Sequence, residues 1–237
     1  MFLLYHAYVY LEFLILACTI YILAPNLSDY GFIGELSLDG RLRACRGILP
    51  MIIAAKKRKI KKKTRKFDGE LKKFKKAFVK NKSMYKKVAK KAKVPAQLVA
   101  AIHYRENTSD CLGGKFDSYL HNGDMLGKET VNEPKGIFYP KGQFVRAAQN
   151  AIDMKSSYRG RYKLSATSKD FVGMCSFALT YNGKPESKRI WQHSPYVFSG
   201  TNINKKGKYT DDSGYDPNVV DKQVGVFLLI DKIYTIG

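Results

Sequence analysis

The apolar positions of this chain form a series of short helical stripes separated by turn-rich stretches. Phe67, Leu71, Phe74 and Phe78 recur at three- and four-residue spacing with lysines between them, which predicts an amphipathic basic helix over 68–80. A second helix is expected over 83–93, and a third over 95–106. The most informative run is Val94–Glu106, VPAQLVAAIHYRE. Pro95 suits the first helical position, where the amide it lacks has no helical partner in any case. Leu98, Ala101 and Ile102 make one buried stripe, and Glu106 lies one turn beyond Ile102 on the same side. A Gly-, Asp- and Asn-rich loop should follow from Asn107 to about Asn132, with turns at Gly113-Gly114 and Asn122-Gly123. Gln143–Met154 and Lys169–Tyr181 predict two more helices, the second stopped at Gly183. Asp216-Pro217 reads as the N-cap and first turn of a last helix that runs to about Ile233. Apart from a short hairpin within 115–140, nothing alternates with a strand period. The expected class is mainly α.

Charge and the chain ends change this picture. The formal net charge is +22, and Lys56–Lys93 alone holds 20 Lys or Arg against Asp68 and Glu70. Such a run seeks polyanions: anionic lipid, phosphate-bearing wall polymer or nucleic acid. Lys56–Lys66 has almost no apolar content and is expected to be solvated. The phenylalanine stripe after it either packs on the rest of the chain, the favoured reading, or lies on a membrane surface. Phe2–Leu23 is nearly continuous in apolar residues, broken by His6 and Glu12, and long enough to span a bilayer. The cationic run follows it, so the positive-inside rule would hold the downstream chain in the cytoplasm. The basic start of a secretory signal is absent. Residues 1–50 are therefore expected to be a membrane anchor or an over-extended reading frame, with Met51 as an alternative start. Residues 51–82 would form the basic arm and amphipathic helix, and 83–237 the catalytic domain.

Candidate chemistry centres on Glu106. A carboxyl between apolar packing and a helix C-terminus is harder to ionise, which raises its pKa towards the range a general acid needs. On spacing alone the plainer alternative is a helix-end glutamate paired with a lysine. Cys18, Cys45, Cys111 and Cys175 are scattered without metal-ligand spacing, and Cys111 and Cys175 are expected as two thiols. His103 and His121 lack a carboxylate-plus-His pattern, and no Ser/His or Cys/His nucleophile spacing is evident. No metal or other cofactor is implied.

Val94–Glu106 resembles the catalytic helix of the lysozyme-like superfamily, which includes soluble lytic transglycosylases and goose-type lysozymes. There a helix of the form Pro-x-Leu-(x)-Ala-Ile-x-x-Glu carries the single essential acid. The resemblance extends upstream through Met84–Ala92 and downstream to Tyr181-Asn182-Gly183, similar to a Tyr-Asn turn lining the sugar site. From Tyr119 (YLHNGD) to SPYVFSGTN and YDPNVVDKQ, the chain looks like a phage and bacterial peptidoglycan-degrading branch. About two-thirds of the chain is covered. Two departures stand out. Asn107 occupies a position usually held by Ser, and the Gly-x-Met-Gln segment of transglycosylases has only Gly136-Ile137-Phe138 in its place.

The resemblance implies a lysozyme-like α+β fold with a small hairpin region, preceded by the basic helix. It makes Glu106 the acid of a muramidase that cuts the β-1,4 bond between N-acetylmuramic acid and N-acetylglucosamine. The alternatives are a lytic transglycosylase giving 1,6-anhydro products and a non-enzymatic nucleic-acid-binding protein. Asp124 is the first choice for a second carboxylate, with Asp117 and Asp110 behind it; the plainer role for Asp124 is a turn cap. It would sit roughly 6.5–9.5 Å from Glu106 in an inverting hydrolase and about 5–5.5 Å in a retaining one. Tyr181 and Asn182 are implied as sugar contacts, with His121 and Asn122 behind them. The expected partners are peptidoglycan strands and, through Lys56–Lys93, an anionic cell surface or membrane. The protein would act as a monomer, made in a bacterial host cytoplasm and acting on the wall, with membrane association through residues 2–23.

Overall fold

The computed structural model describes residues 35–36, 42–43, 60–62, 65–132, 134–182, 194–204, 206–211 and 214–236. The apolar segment Phe2–Leu23, Met51, most of the basic run before Arg65, and Gly183 lie outside the described residues. The chain divides into two compact units, Met1–Ile48 and Leu49–Gly237. In the first, Glu35–Leu36 (β1) and Leu42–Arg43 (β2) pair antiparallel, with Glu35 opposite Arg43. The second unit is mainly α and holds the candidate site.

Three helices open that unit: Asp68–Lys80 (α1), Lys82–Ala92 (α2) and Ala96–Glu106 (α3). The α1 stripe is core, with Phe67, Leu71, Phe74 and Phe78 all buried, so packing rather than membrane contact explains its phenylalanines. In α2 the buried positions Tyr85, Val88, Ala89 and Ala92 follow the same spacing. Pro95 stands just before α3 in extended conformation (φ −62°, ψ 144°) and caps it, one residue earlier than the sequence suggests. Ala96 and every residue from Leu98 to Arg105 are buried. Such a helix is enclosed on all sides rather than amphipathic, and the Phe74 ring meets Tyr104 edge-on at 5.5 Å.

The predicted loop after Glu106 begins instead with a short helix, Thr108–Gly113 (α4). Asn107 caps it by accepting the Asp110 amide at 3.1 Å, the role its short polar side chain favours. Phe144–Asp153 (α5), Ser156–Arg161 (α6) and Phe171–Tyr181 (α7) follow, and Asp170 caps α7 through the Gly173 amide at 2.9 Å. Within 115–140 the expected hairpin is reduced to one antiparallel bridge between Ser118 and Met125. A hairpin forms further on, from Lys208–Asp211 (β3) and Gly214–Asp216 (β4). Pro195–Phe198 (α8) precedes it, and Val226–Ile233 (α9) follows it. The last helix is therefore shorter than predicted. Asp216 ends β4 and accepts the Asn218 amide at 2.7 Å, a local turn that uses the same Asp-Pro signal as a helix start. Cys111 and Cys175 are buried and form no disulfide. No helix among the described residues is long and apolar enough to cross a membrane.

Candidate active site

The site is built where α3 ends. The last carbonyls of a helix lack intrahelical partners, and here they are met by the two residues that follow and by Gln223. The His103 carbonyl accepts the Asn107 amide at 2.9 Å, and the Tyr104 carbonyl accepts the Thr108 hydroxyl at 2.9 Å. The Arg105 carbonyl accepts Nε2 of Gln223 at 3.2 Å, which ties the approach to α9 onto this end. The side chain of Arg105 completes the tie. Its Nη2 donates to Oδ2 of buried Asp221 at 2.7 Å, and its guanidinium lies 4.8 Å from the centre of the Tyr196 ring.

Tyr196 of α8 in turn donates its hydroxyl to Oε1 of Glu106 at 2.8 Å. Burial raises the Glu106 pKa from 4.5 to about 7, against the opposing pull of the Tyr196 hydrogen bond and the Arg105 charge. No described carboxylate is among the groups acting on it. The residue keeps partial exposure, so a proton there can reach a ligand. Removing the Tyr196 hydroxyl takes away a hydrogen bond that favours the ionised form. Tyr196→Phe is therefore expected to raise the Glu106 pKa further, visible as an upward shift of the carboxyl titration followed by NMR.

A loop from Ser118 to Asp124 closes over the same helix end. Gly123 adopts φ +74°, and a Cβ there would stand 2.3 Å from the Glu106 carbonyl oxygen. Glycine answers both demands. Asn107 Nδ2 donates to the Gly123 carbonyl at 3.2 Å, and the Tyr181 hydroxyl donates to the Leu120 carbonyl at 2.6 Å. Beneath the loop lies a buried polar hub. Asp110 accepts from His103 Nε2 at 2.9 Å, the Ser118 hydroxyl at 2.6 Å and the Asp117 and Ser118 amides. Burial alone would raise the Asp110 pKa, but these donors outweigh it and hold the carboxyl at about 2. The other ring nitrogen of His103 faces the Tyr85 hydroxyl at 3.1 Å.

Of the residues singled out from sequence, Glu106, the His121-Asn122-Gly123 turn and Tyr181 come together at this end of α3. Asp124 accepts the Val131 and Asn132 amides at 3.0 and 3.2 Å and Nδ2 of Asn132 at 2.8 Å, so its carboxylate staples the loop. Asp110 is engaged in the hub, and the Asp117 amide is one of its donors. Asn122 accepts the Asp124 amide at 3.0 Å. His121 turns its Nε2 to the Met154 sulfur at 3.2 Å, and burial with the nearby Lys155 charge lowers its pKa to about 4. Tyr181 is buried beneath the loop, while Asn182 is exposed. The hydroxyl on the acid belongs to Tyr196. Spacing assigns no role to it or to Arg105, Asp221 and Gln223, although Tyr196 stands within SPYVFSGTN, Arg105 within VPAQLVAAIHYRE, and Asp221 and Gln223 within YDPNVVDKQ. Among the described residues no group of three or more His, Cys, Asp or Glu is placed to hold a metal ion.

Compared with known proteins, residues 12–64 match the family described as subunit ChlI of Mg-chelatase. That stretch is less than half of the chain and ends before α1, so it contains none of the site residues. No curated protein and no solved structure matches the chain. The resemblance to the lysozyme-like superfamily is corrected accordingly: the family match falls on a different family. The run Val94–Glu106 is a short local pattern set by helical spacing. What stands is a mainly α unit with a half-buried, hard-to-ionise glutamate.

Proposed function

We propose that this chain cleaves the β-1,4 bond between N-acetylmuramic acid and N-acetylglucosamine in peptidoglycan, with Glu106 as the general acid. The observation that carries this reading is the Glu106 carboxyl, raised to about 7 and hydrogen-bonded by Tyr196. Glycoside cleavage needs a proton at the leaving oxygen while positive charge develops at the anomeric carbon. Glu106 delivers that proton as the carbon–oxygen bond breaks. Its carboxylate then recovers a proton from whichever hydroxyl captures the anomeric carbon.

Two features support an acylated, anionic glycan. With both Asp124 oxygens engaged by the loop, stabilisation of the cationic centre falls to the substrate, and a 2-acetamido group supplies it through its carbonyl oxygen. A net charge of +22 favours an anionic sugar polymer over a neutral one such as chitin.

Incubation with purified peptidoglycan, followed by mass spectrometry of the soluble fraction, tests the reading. Soluble disaccharide-containing fragments are expected, and their absence with folded protein would sink it. Reducing N-acetylmuramic ends report capture by water; 1,6-anhydro ends, lighter by one water, report capture by the sugar's own 6-hydroxyl. In the same assay Asp124→Asn should leave fragment release nearly unchanged. A loss comparable to that from removing Glu106 would give Asp124 the water-activating role instead.

A further inference from the structure

We propose that the lysine face of α1 and α2 docks a linear phosphodiester polymer of the cell wall, of the poly(glycerol phosphate) kind. The choice of a wall polymer rests on the glycan-cleaving reading of Glu106; the cationic surface itself does not.

The apolar stripes of both helices are consumed in the core, and what they leave outside is almost purely cationic. Lys72 and Lys76 on α1, and Lys86, Lys87, Lys90 and Lys91 on α2, are all exposed. None takes part in any ion pair among the described residues. The acids within the two helices, Asp68 and Glu70, are engaged elsewhere, by Lys62 and by the Tyr104 hydroxyl. Lys72/Lys76, Lys86/Lys90 and Lys87/Lys91 are pairs four residues apart, about 6 Å along a helix axis at 1.5 Å per residue. Like charges at that spacing weaken a helix. The fold gains no ion pair from them among the described residues, whereas a polyanion laid along the surface neutralises them.

The same surface argues against a membrane and against single-stranded or base-read nucleic acid. A membrane-lying basic helix presents an apolar face to the acyl boundary, and here that face is buried. Single-stranded nucleic acid is held by stacking on aromatic rings, yet Phe74, Phe78 and Tyr85 are all enclosed. Between residues 68 and 93 every basic residue is lysine, so the bidentate arginine fork that reads guanine is missing. Point charges on flexible stems suit a flexible phosphodiester chain with no fixed geometry to read.

The full chain and a variant with Lys72, Lys76, Lys86, Lys87, Lys90 and Lys91 all replaced by Gln should be compared. Binding to poly(glycerol phosphate), phosphatidylglycerol vesicles and short duplex DNA is measured at equal phosphate, between about 50 and 200 mM salt. Wild type is expected to bind poly(glycerol phosphate) tightest. The variant should lose at least about 100-fold at the low-salt end and show a flatter salt dependence, as expected when phosphate contacts are removed. Because the substituted positions are exposed, its thermal transition should be unchanged or higher. Equal or tighter wild-type binding to DNA or vesicles would overturn the choice of partner, and unchanged variant affinity would overturn the surface. Binding is read without turnover, so its failure is distinct from a failure of glycan cleavage.

Discussion

Glu106→Gln is expected to slow peptidoglycan cleavage by about 10²–10⁴-fold, the usual contribution of a positioned general acid, while making the protein more stable at alkaline pH. Both effects come from one cause. Glutamine keeps the shape and polarity of the side chain but has no proton to give the leaving oxygen. It also removes a group whose ionisation opposes folding. The folded pKa, about 7, lies above the ordinary value of 4.5. Stability tied to neutral Glu106 is therefore fully present below pH 4.5 and is lost as pH rises through about 7. At ~1.4 kcal/mol per pKa unit, the wild-type deficit at pH 8 is on the order of 3 kcal/mol. Urea unfolding of both proteins at pH 4 and pH 8, beside fragment release from purified peptidoglycan, checks the pair of effects. Equal stability at both pH values would show that Glu106 ionises freely and so lacks the environment a general acid requires. Near-wild-type cleavage by the folded variant would remove Glu106 from the mechanism.

Asp221→Ala is expected to destabilise the fold by about 3–5 kcal/mol, the range seen when one partner of a buried ion pair is removed. The Arg105 and Asp221 side chains are 4% and 1% exposed, so the guanidinium left behind has no route to water. Lys208, 3.3 Å from the other Asp221 oxygen and 36% exposed, can return to solvent. Chemical denaturation measures the loss. Replacing Arg105 by Met in the same background should restore part of it, because the unpaired buried charge then disappears. A loss below about 1 kcal/mol, the level of exposed pairs, would mean that solvent reaches this pair. The pair holds Arg105 over the Tyr196 ring, and Tyr196 bonds Glu106. Asp221→Ala should therefore also blunt cleavage at temperatures where the variant stays folded.

Much of the helical skeleton was legible because each helix obeys a local rule. The three-and-four spacing of Phe67, Leu71, Phe74 and Phe78 marks a buried stripe wherever that stripe packs, and α1 covers the predicted span. Pro95 and the small apolar residues after it announce α3, and its last residue is the glutamate the pattern singled out. Local rules misled where one signal serves two structures. Asp216-Pro217 opens a turn after β4 rather than a helix, and Asn107 caps a new short helix inside what reads as a loop.

By itself, then, the sequence determined that Glu106 ends a helix with a buried stripe, that an Asn-Gly turn lies in the segment after it, and that α1 and α2 carry an excess of lysine. These follow from spacing, turn chemistry and charge within a few residues of each position. Tertiary structure alone decided which tyrosine bonds the acid and where the aspartates go. Tyr196 and Glu106 are 90 residues apart, and Arg105 and Asp221 are 116 apart. No period or motif links positions so distant; only the packing of α8 and the approach to α9 against the end of α3 does. The same packing assigns Asp124 to the backbone of its own loop, because amides at 131 and 132 present donors to it at hydrogen-bonding distance. It also turns α1's phenylalanines inward, which leaves a surface of charge where the stripe alone allowed a membrane face.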